Sequence, residues 1–157
     1  MTRAKRFPYV VSACLAGLPC RYDGGGNACG AVVALVDAGL AVPACPETLG
    51  GLPVPREPCE QRGGRVVGRD GVDRTEAFLR GSRKALAVAL AHGCRAAILK
   101  SRSPSCGCGR IYDGTFSRTL TQGMGTWARL LQEAGLDLYT EENLPPLEKK
   151  NAPRSSC

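Results

Sequence analysis

Residues Ala96–Gly109 read AAILKSRSPSCGCG. The opening residues are an apolar run of strand length with no polar face, the habit of a strand buried on both sides in a parallel sheet. The remainder is a turn: Ser101, Ser103 and Ser105 alternate with Pro104 and then two glycines, a composition that continues neither helix nor sheet. A buried strand that ends in a cysteine-bearing loop is therefore the unit to look for elsewhere. It occurs twice more, in YVVSAC at residues 9–14 and LAVPAC at residues 40–45.

Working outward, strands are expected at Tyr9–Ala13, Leu40–Ala44, Ala96–Lys100 and Leu136–Thr140, and helices at Gly30–Ala38, Thr75–His92 and Gly125–Ala134. The longest helix has Asp73 as its expected N-cap with Glu76 three residues on, and Gly93 as its stop. Alternating strands and helices predict an α/β fold: one Rossmann-like domain over residues 1–145, with a mostly parallel sheet flanked by helices, and a mobile tail over residues 146–157. Between Pro46 and Asp73 lies a long Pro/Gly-rich excursion, in which RVVG reads as a hairpin strand and Arg56 and Glu60 as an internal ion pair. In a parallel sheet the carboxyl ends of the strands share one edge, and that edge is where such folds bind ligands. Cys14, Cys45 and Cys106 are thereby expected to converge at the C-terminal strand edge.

Nine cysteines stand against one histidine, His92, in 157 residues. An odd count in a chain of this length argues against a disulfide scaffold, and the lone imidazole argues against zinc sites built on several histidines. No apolar run is long enough to cross a bilayer. The short apolar stretch after the basic N-terminus runs straight into CRYDGG without a cleavage site, so no signal peptide is read and a cytoplasmic protein is expected. A net charge of +7 favours anionic partners, while three Phe, four Tyr and one Trp supply little for a single-strand stacking platform.

Three converging thiolates lack the paired knuckles of structural zinc and are one short of the usual iron–sulfur ligand set. Three ligands leave a metal position open, which is the arrangement of a catalytic centre with affinity for soft sulfur. Cys20 and Cys108 lie near the same edge as spare thiols; Cys29, Cys59, Cys94 and Cys157 read as packed or exposed thiols. Glu47, two residues after Cys45, is placed to act as a general base. Ser103 and Ser105 flank Cys106, Asp23 follows in CRYDGG, and Lys100, Arg21 and Arg56 add positive charge.

The segments SACLAGLPCRYDGG, CPETLGGLPVPREPCE, GVDRTEAFLRG, AILKSRSPSCG and IYDGTF, taken in order, resemble the motifs of the domain-of-unknown-function 523 family, whose characterised members desulfurise thiouracil. The likeness runs from about Tyr9 to Glu142. It implies a [4Fe-4S] cluster on Cys14, Cys45 and Cys106, with its fourth iron open to substrate sulfur. It further implies that Glu47 activates water and that Ser105 assists; Asp23, Ser103 and Lys100, the polar residues around these positions, are expected to contact substrate. The reaction would replace C=S by C=O in a small thiolated pyrimidine, as base, nucleoside or monophosphate. Cys20, Cys108 and Arg74 depart from the family's usual residues. The competing expectation is a cysteine-rich module that holds zinc or a structural cluster and binds RNA through its basic surface; a thiol enzyme carrying persulfide on Cys106 is a third.

Overall fold

The computed structural model describes residues 6–146. In chain order the elements are β1 (Tyr9–Ser12), a 3-10 turn (Ala13–Ala16), α1 (Gly30–Asp37), β2 (Ala41–Ala44), α2 (Pro46–Leu49), β3 (Cys59–Arg62), β4 (Arg65–Gly68), α3 (Thr75–Ala91), β5 (Ala96–Leu99), β6 (Cys108–Tyr112), β7 (Leu120–Met124), α4 (Thr126–Glu133) and β8 (Asp137–Thr140). Four strands form a parallel sheet in the order β2-β1-β5-β8. The expected α/β architecture is thus present: a parallel sheet with helices on both faces. The expected mobile tail lies, apart from Pro146, outside the described residues.

The pleat decides which helix lies where. Successive strand residues point to opposite faces. Val10, Ala97 and Leu99 therefore join one core with Ala85 and Ala89 of α3 and Trp127, Ala128 and Leu131 of α4. Val11 and Ile98 face the other way, against Ala31, Val32 and Leu35 of α1. All four residues of β5 are buried, which explains the unbroken apolar run of the sequence. The helices α1, α3 and α4 each stop on a glycine with positive φ: Gly39, Gly93 and Gly135. In each the next amide returns to a carbonyl of the last turn, as Cys94 N–H does to Ala89 at 3.0 Å, and the chain drops directly into the following strand.

Two local expectations are corrected. Asp73 does not cap α3: Arg74 holds that position without a side-chain cap bond, and the Asp73 carboxylate accepts the Thr75 amide at 2.9 Å. The cause is pairing that runs on past β4. Asp73 still bridges Val67, and Arg74 N–H still bonds Val66 O at 2.8 Å, so helix geometry starts one residue later. The Arg56–Glu60 pair does not form either. Arg56 reaches Glu47 instead, and Glu60, buried on the RVVG hairpin, accepts the amides of Gly114 and Phe116. The hairpin itself is present, as β3 and β4.

The hairpin β6–β7 had no counterpart in the sequence reading. Its strands CGRIY and LTQGM bury only Ile111, so they carry no apolar alternation to detect. The excursion holds this hairpin in place: the Gln61 side-chain amide donates to Pro104 O at 2.9 Å and to Met124 O at 2.8 Å.

Candidate active site

At the carboxyl ends of β1, β2 and β5 the chain encloses a cavity of about 350 Å³, within the range of small-ligand sites. The strand order makes this location necessary. After β1 the chain adds β2 on one side and then returns to add β5 on the other, so the crevice opens at a topological switch point. Cys14, Cys45 and Cys106 all line the cavity, each delivered by the segment that leaves one of these strands.

Two close backbone approaches fix the loops that carry them. Cys45 is the N-cap of the short helix α2, which lies against α3 at Gly81 and Gly50. A Cβ on Gly81 would sit 1.7 Å from Pro46 O, and one on Gly50 would sit 2.1 Å from Ala77 O. On the other wall, Gly125 caps α4 beneath the Cys106 loop, where a Cβ would stand 2.4 Å from Ser105 O. Small residues at these three points bring the 45–47 and 105–106 segments to the cavity.

The acid–base groups form one connected set. Glu47 is largely buried, and Arg56 beside it is 5% exposed. Arg56 donates to Glu47 Oε1 twice, from Nε at 3.1 Å and Nη2 at 2.9 Å, so that oxygen is fully engaged. The Ser105 hydroxyl donates to the other oxygen, Oε2, at 2.7 Å. Ser103 Oγ lies 3.0 Å from Ser105 Oγ and accepts the amides of Ser105 and Cys106. Because Ser105 spends its one proton on Glu47, Ser103 must donate to Ser105. The chain of hydroxyls therefore points at Glu47 Oε2.

Three of the cavity thiols, Cys20, Cys45 and Cys106, are shifted toward the protonated form. Hydrogen bonding to Cys14, with burial behind it, raises Cys20 to about 11. The hydrogen bond with Cys20 and burial push Cys45 higher still. Burial carries Cys106 to about 12, against the hydrogen bonding of Ser12. Any cation that binds these sulfurs must therefore displace their protons. Among the described residues no three His, Cys, Asp or Glu side chains close around one metal-ion position. The cavity's sulfur donors are instead distributed around its wall, and the single histidine stacks edge-on against Phe7 away from it. A wall that offers several thiols and no imidazole suits a soft, sulfur-bound group.

The remaining candidates divide. Lys100 and Ser103 line the cavity; Asp23 does not. Asp23 is exposed in its own turn, accepting the Gly25 amide at 2.9 Å and pairing with Arg21 at 3.4 Å. Cys108 begins β6 and lies off the cavity wall, whereas Cys20 and Cys59 line it. Sequence reasoning passed over Ser12, which is buried at the end of β1 and accepts the Lys100 amide at 2.9 Å. Its signal was its place one residue before the Ala13–Cys14 turn. Arg69, Arg118, Tyr112 and Phe116 were also passed over; they reach the cavity from the two hairpins, and no local pattern marks them.

The ammonium of Lys100 is committed to Glu141, 2.8 Å away, which also accepts the Ser101 amide and hydroxyl. Burial works to raise the Glu141 carboxyl, but the Lys100 and Ser101 bonds outweigh it and the net shift is downward. A depressed folded value stabilises the protein above the unfolded glutamate value of about 4.3 and is lost as pH falls through the folded value. Glu141→Gln is accordingly expected to lower stability by about 1–3 kcal/mol at neutral pH, and by little at pH values below the folded carboxyl's own. Urea midpoints of variant and wild type at the two extremes check this.

The family model of the 2-thiouracil desulfurases matches residues 9–143. A Bacillus subtilis (strain 168) protein, YbbK, is 44% identical over an alignment 145 residues long that covers 86% of this chain and 96% of that one. A solved structure, the [4Fe-4S]-dependent thiouracil desulfidase TudS, superposes with a TM-score of 0.82 at 44% identity, covering 90% of this chain and 94% of the other. With the parallel sheet, the cysteine-lined crevice and the match across nearly all the described residues, the chain belongs to the 2-thiouracil desulfurase family.

Proposed function

We propose that this desulfurase converts a thiolated pyrimidine to its oxo form with release of sulfide, using a [4Fe-4S] cluster held by Cys14, Cys45 and Cys106. The observation that carries the reading is the meeting of three strand-end thiols with one oriented carboxylate, Glu47, in a single cavity. Held by these three cysteines, the cluster would supply a Lewis acid with affinity for sulfur, polarising the substrate's C=S bond.

The protein's own groups do the rest. Glu47 takes the proton of a water at Oε2, the oxygen that Arg56 leaves available. Arg56 holds the carboxylate plane, and Ser105 hydrogen-bonds it from the Cys106 side. Overall C=S and water become C=O and hydrogen sulfide, with no net electron transfer. Arg69 and Arg118 line the cavity without a carboxylate partner among the described residues, and Arg69 lies 5.6 Å from the centre of the Phe116 ring. A cationic wall of this kind favours a substrate with an anionic substituent, so a thiolated nucleotide is preferred over the free base.

The ligand set is tested by iron analysis after anaerobic reconstitution. Cys14→Ser, Cys45→Ser and Cys106→Ser should each take up well under half of the wild-type iron, while Cys108→Ser should match wild type. Iron loss in the Cys108 variant, or full uptake in any of the other three, would reassign the ligands.

A further inference from the structure

One thiol in the cavity has no part in the mechanism above. Cys20 lies on the loop between the 3-10 turn and α1, half-buried, and lines the same cavity as Cys14 and Cys45. Its carbonyl accepts Arg56 Nη2 at 2.8 Å and the Cys45 thiol at 3.9 Å. The same guanidinium that orients Glu47 therefore fixes the backbone of Cys20. The other extra thiol on the wall, Cys59, is turned away: it donates to Glu57 O at 3.6 Å and lies against Arg74. Cys20 thus stands beside two of the three ligands assigned above.

We propose that Cys20 is a fourth, exchangeable thiolate ligand, occupying the open iron position until the substrate's sulfur displaces it. The inference rests on the cluster reading above. An iron with a free position takes the best donor within reach, and a thiolate is a soft ligand matched to it. A thiolate tethered to the cavity wall also acts at an effective concentration in the millimolar range or above, beyond that of most dissolved donors. Exchange requires no redox partner: the iron–sulfur bond to Cys20 breaks with both electrons staying on sulfur, the thiolate takes a proton from water, and the bond to substrate sulfur forms.

The fold carries Cys20 differently from the other three. Cys14 and Cys106 are buried, and Cys45 leads directly from β2 into α2. Cys20 instead sits on a loop between Gly17 and Gly24, outside strand and helix, with its amide held by Leu18 O at 2.8 Å and its carbonyl by Arg56, so that exchange turns the half-buried side chain and leaves the loop in place. Such a ligand shields the open iron in the resting protein and competes with substrate for it.

The experiment compares wild type with Cys20→Ala and Cys20→Val, all reconstituted anaerobically, by iron content, by electron paramagnetic resonance of the reduced cluster, and by titration with 2-mercaptoethanol. Equal iron in all three is expected, with both variants giving a resonance distinct from wild type. Each variant's spectrum should respond to 2-mercaptoethanol at concentrations lower by ~10-fold or more. Superimposable spectra and equal titrations in a folded variant would remove Cys20 from the iron. Loss of iron in both variants, to the level of Cys14→Ser, would make Cys20 a permanent ligand and overturn its exchange. Wild type that takes up no iron at all would instead bring down the cluster reading itself, and this inference with it.

Discussion

Gly81→Ala should dismantle the site from a position that touches no ligand. Its methyl would lie 1.7 Å from Pro46 O, 2.8 Å from Pro46 C and 2.7 Å from Gly50 N. All three are backbone atoms, so no side-chain rotation relieves the overlap, and α2 must move off α3. α2 follows Cys45 immediately and carries Glu47 in its first turn. Overpacking of this kind costs about 1–3 kcal/mol when neighbours can adjust, and backbone obstruction puts the change at the upper end of that range or beyond. The expected outcome is a urea midpoint lowered by about 3 kcal/mol of stability, with iron uptake falling toward that of Cys45→Ser. A variant with normal midpoint and normal iron would show that α2 can shift without disturbing Cys45.

The second large effect separates holding the carboxylate in place from using it. Glu47→Gln preserves shape, and its carbonyl oxygen can still accept both Arg56 bonds. The amide nitrogen replaces Oε2, so the atom that would receive the water's proton becomes a donor. Turnover should therefore fall by roughly 10²–10⁴-fold, the usual worth of a positioned general base. Iron content and KM should stay close to wild type, since the side chain ligates nothing. Single-turnover release of sulfide by the loaded variant and wild type checks it. Near-normal release would leave Glu47 a structural partner of Arg56 and Ser105.

Much of this was legible in the sequence because the sheet is encoded locally. AAIL is buried on both faces and reads as such, and the stops at Gly39, Gly93 and Gly135 announce where each following strand begins. The convergence of Cys14, Cys45 and Cys106 on one cavity followed from strand ends alone, since a parallel sheet brings those ends to one edge. What was not legible depends on pairings between distant segments. Arg56 carries no mark that it will choose Glu47 over Glu60, because the choice is made by where α2 places Glu47 after docking on Gly81. The β6–β7 hairpin is held by Gln61 from the far end of the excursion, and so Arg118 and Phe116 arrive at the cavity without any periodic signal. Asp23 shows the opposite error: it stands in a motif with cavity residues, yet its own turn consumes it.

The central claim is hydrolytic desulfuration in the thiol-lined cavity, and its most direct measurement is the fate of atoms in a single turnover. Anaerobically reconstituted protein is mixed with a thiouracil, or its nucleotide, in water enriched in heavy oxygen and without reductant. Sulfide and oxo-pyrimidine should then appear in equal amounts, the product should carry the solvent's oxygen, and iron-free protein should yield neither. Product formed equally well by iron-free protein, or a demand for added reductant or oxidant, would contradict the account.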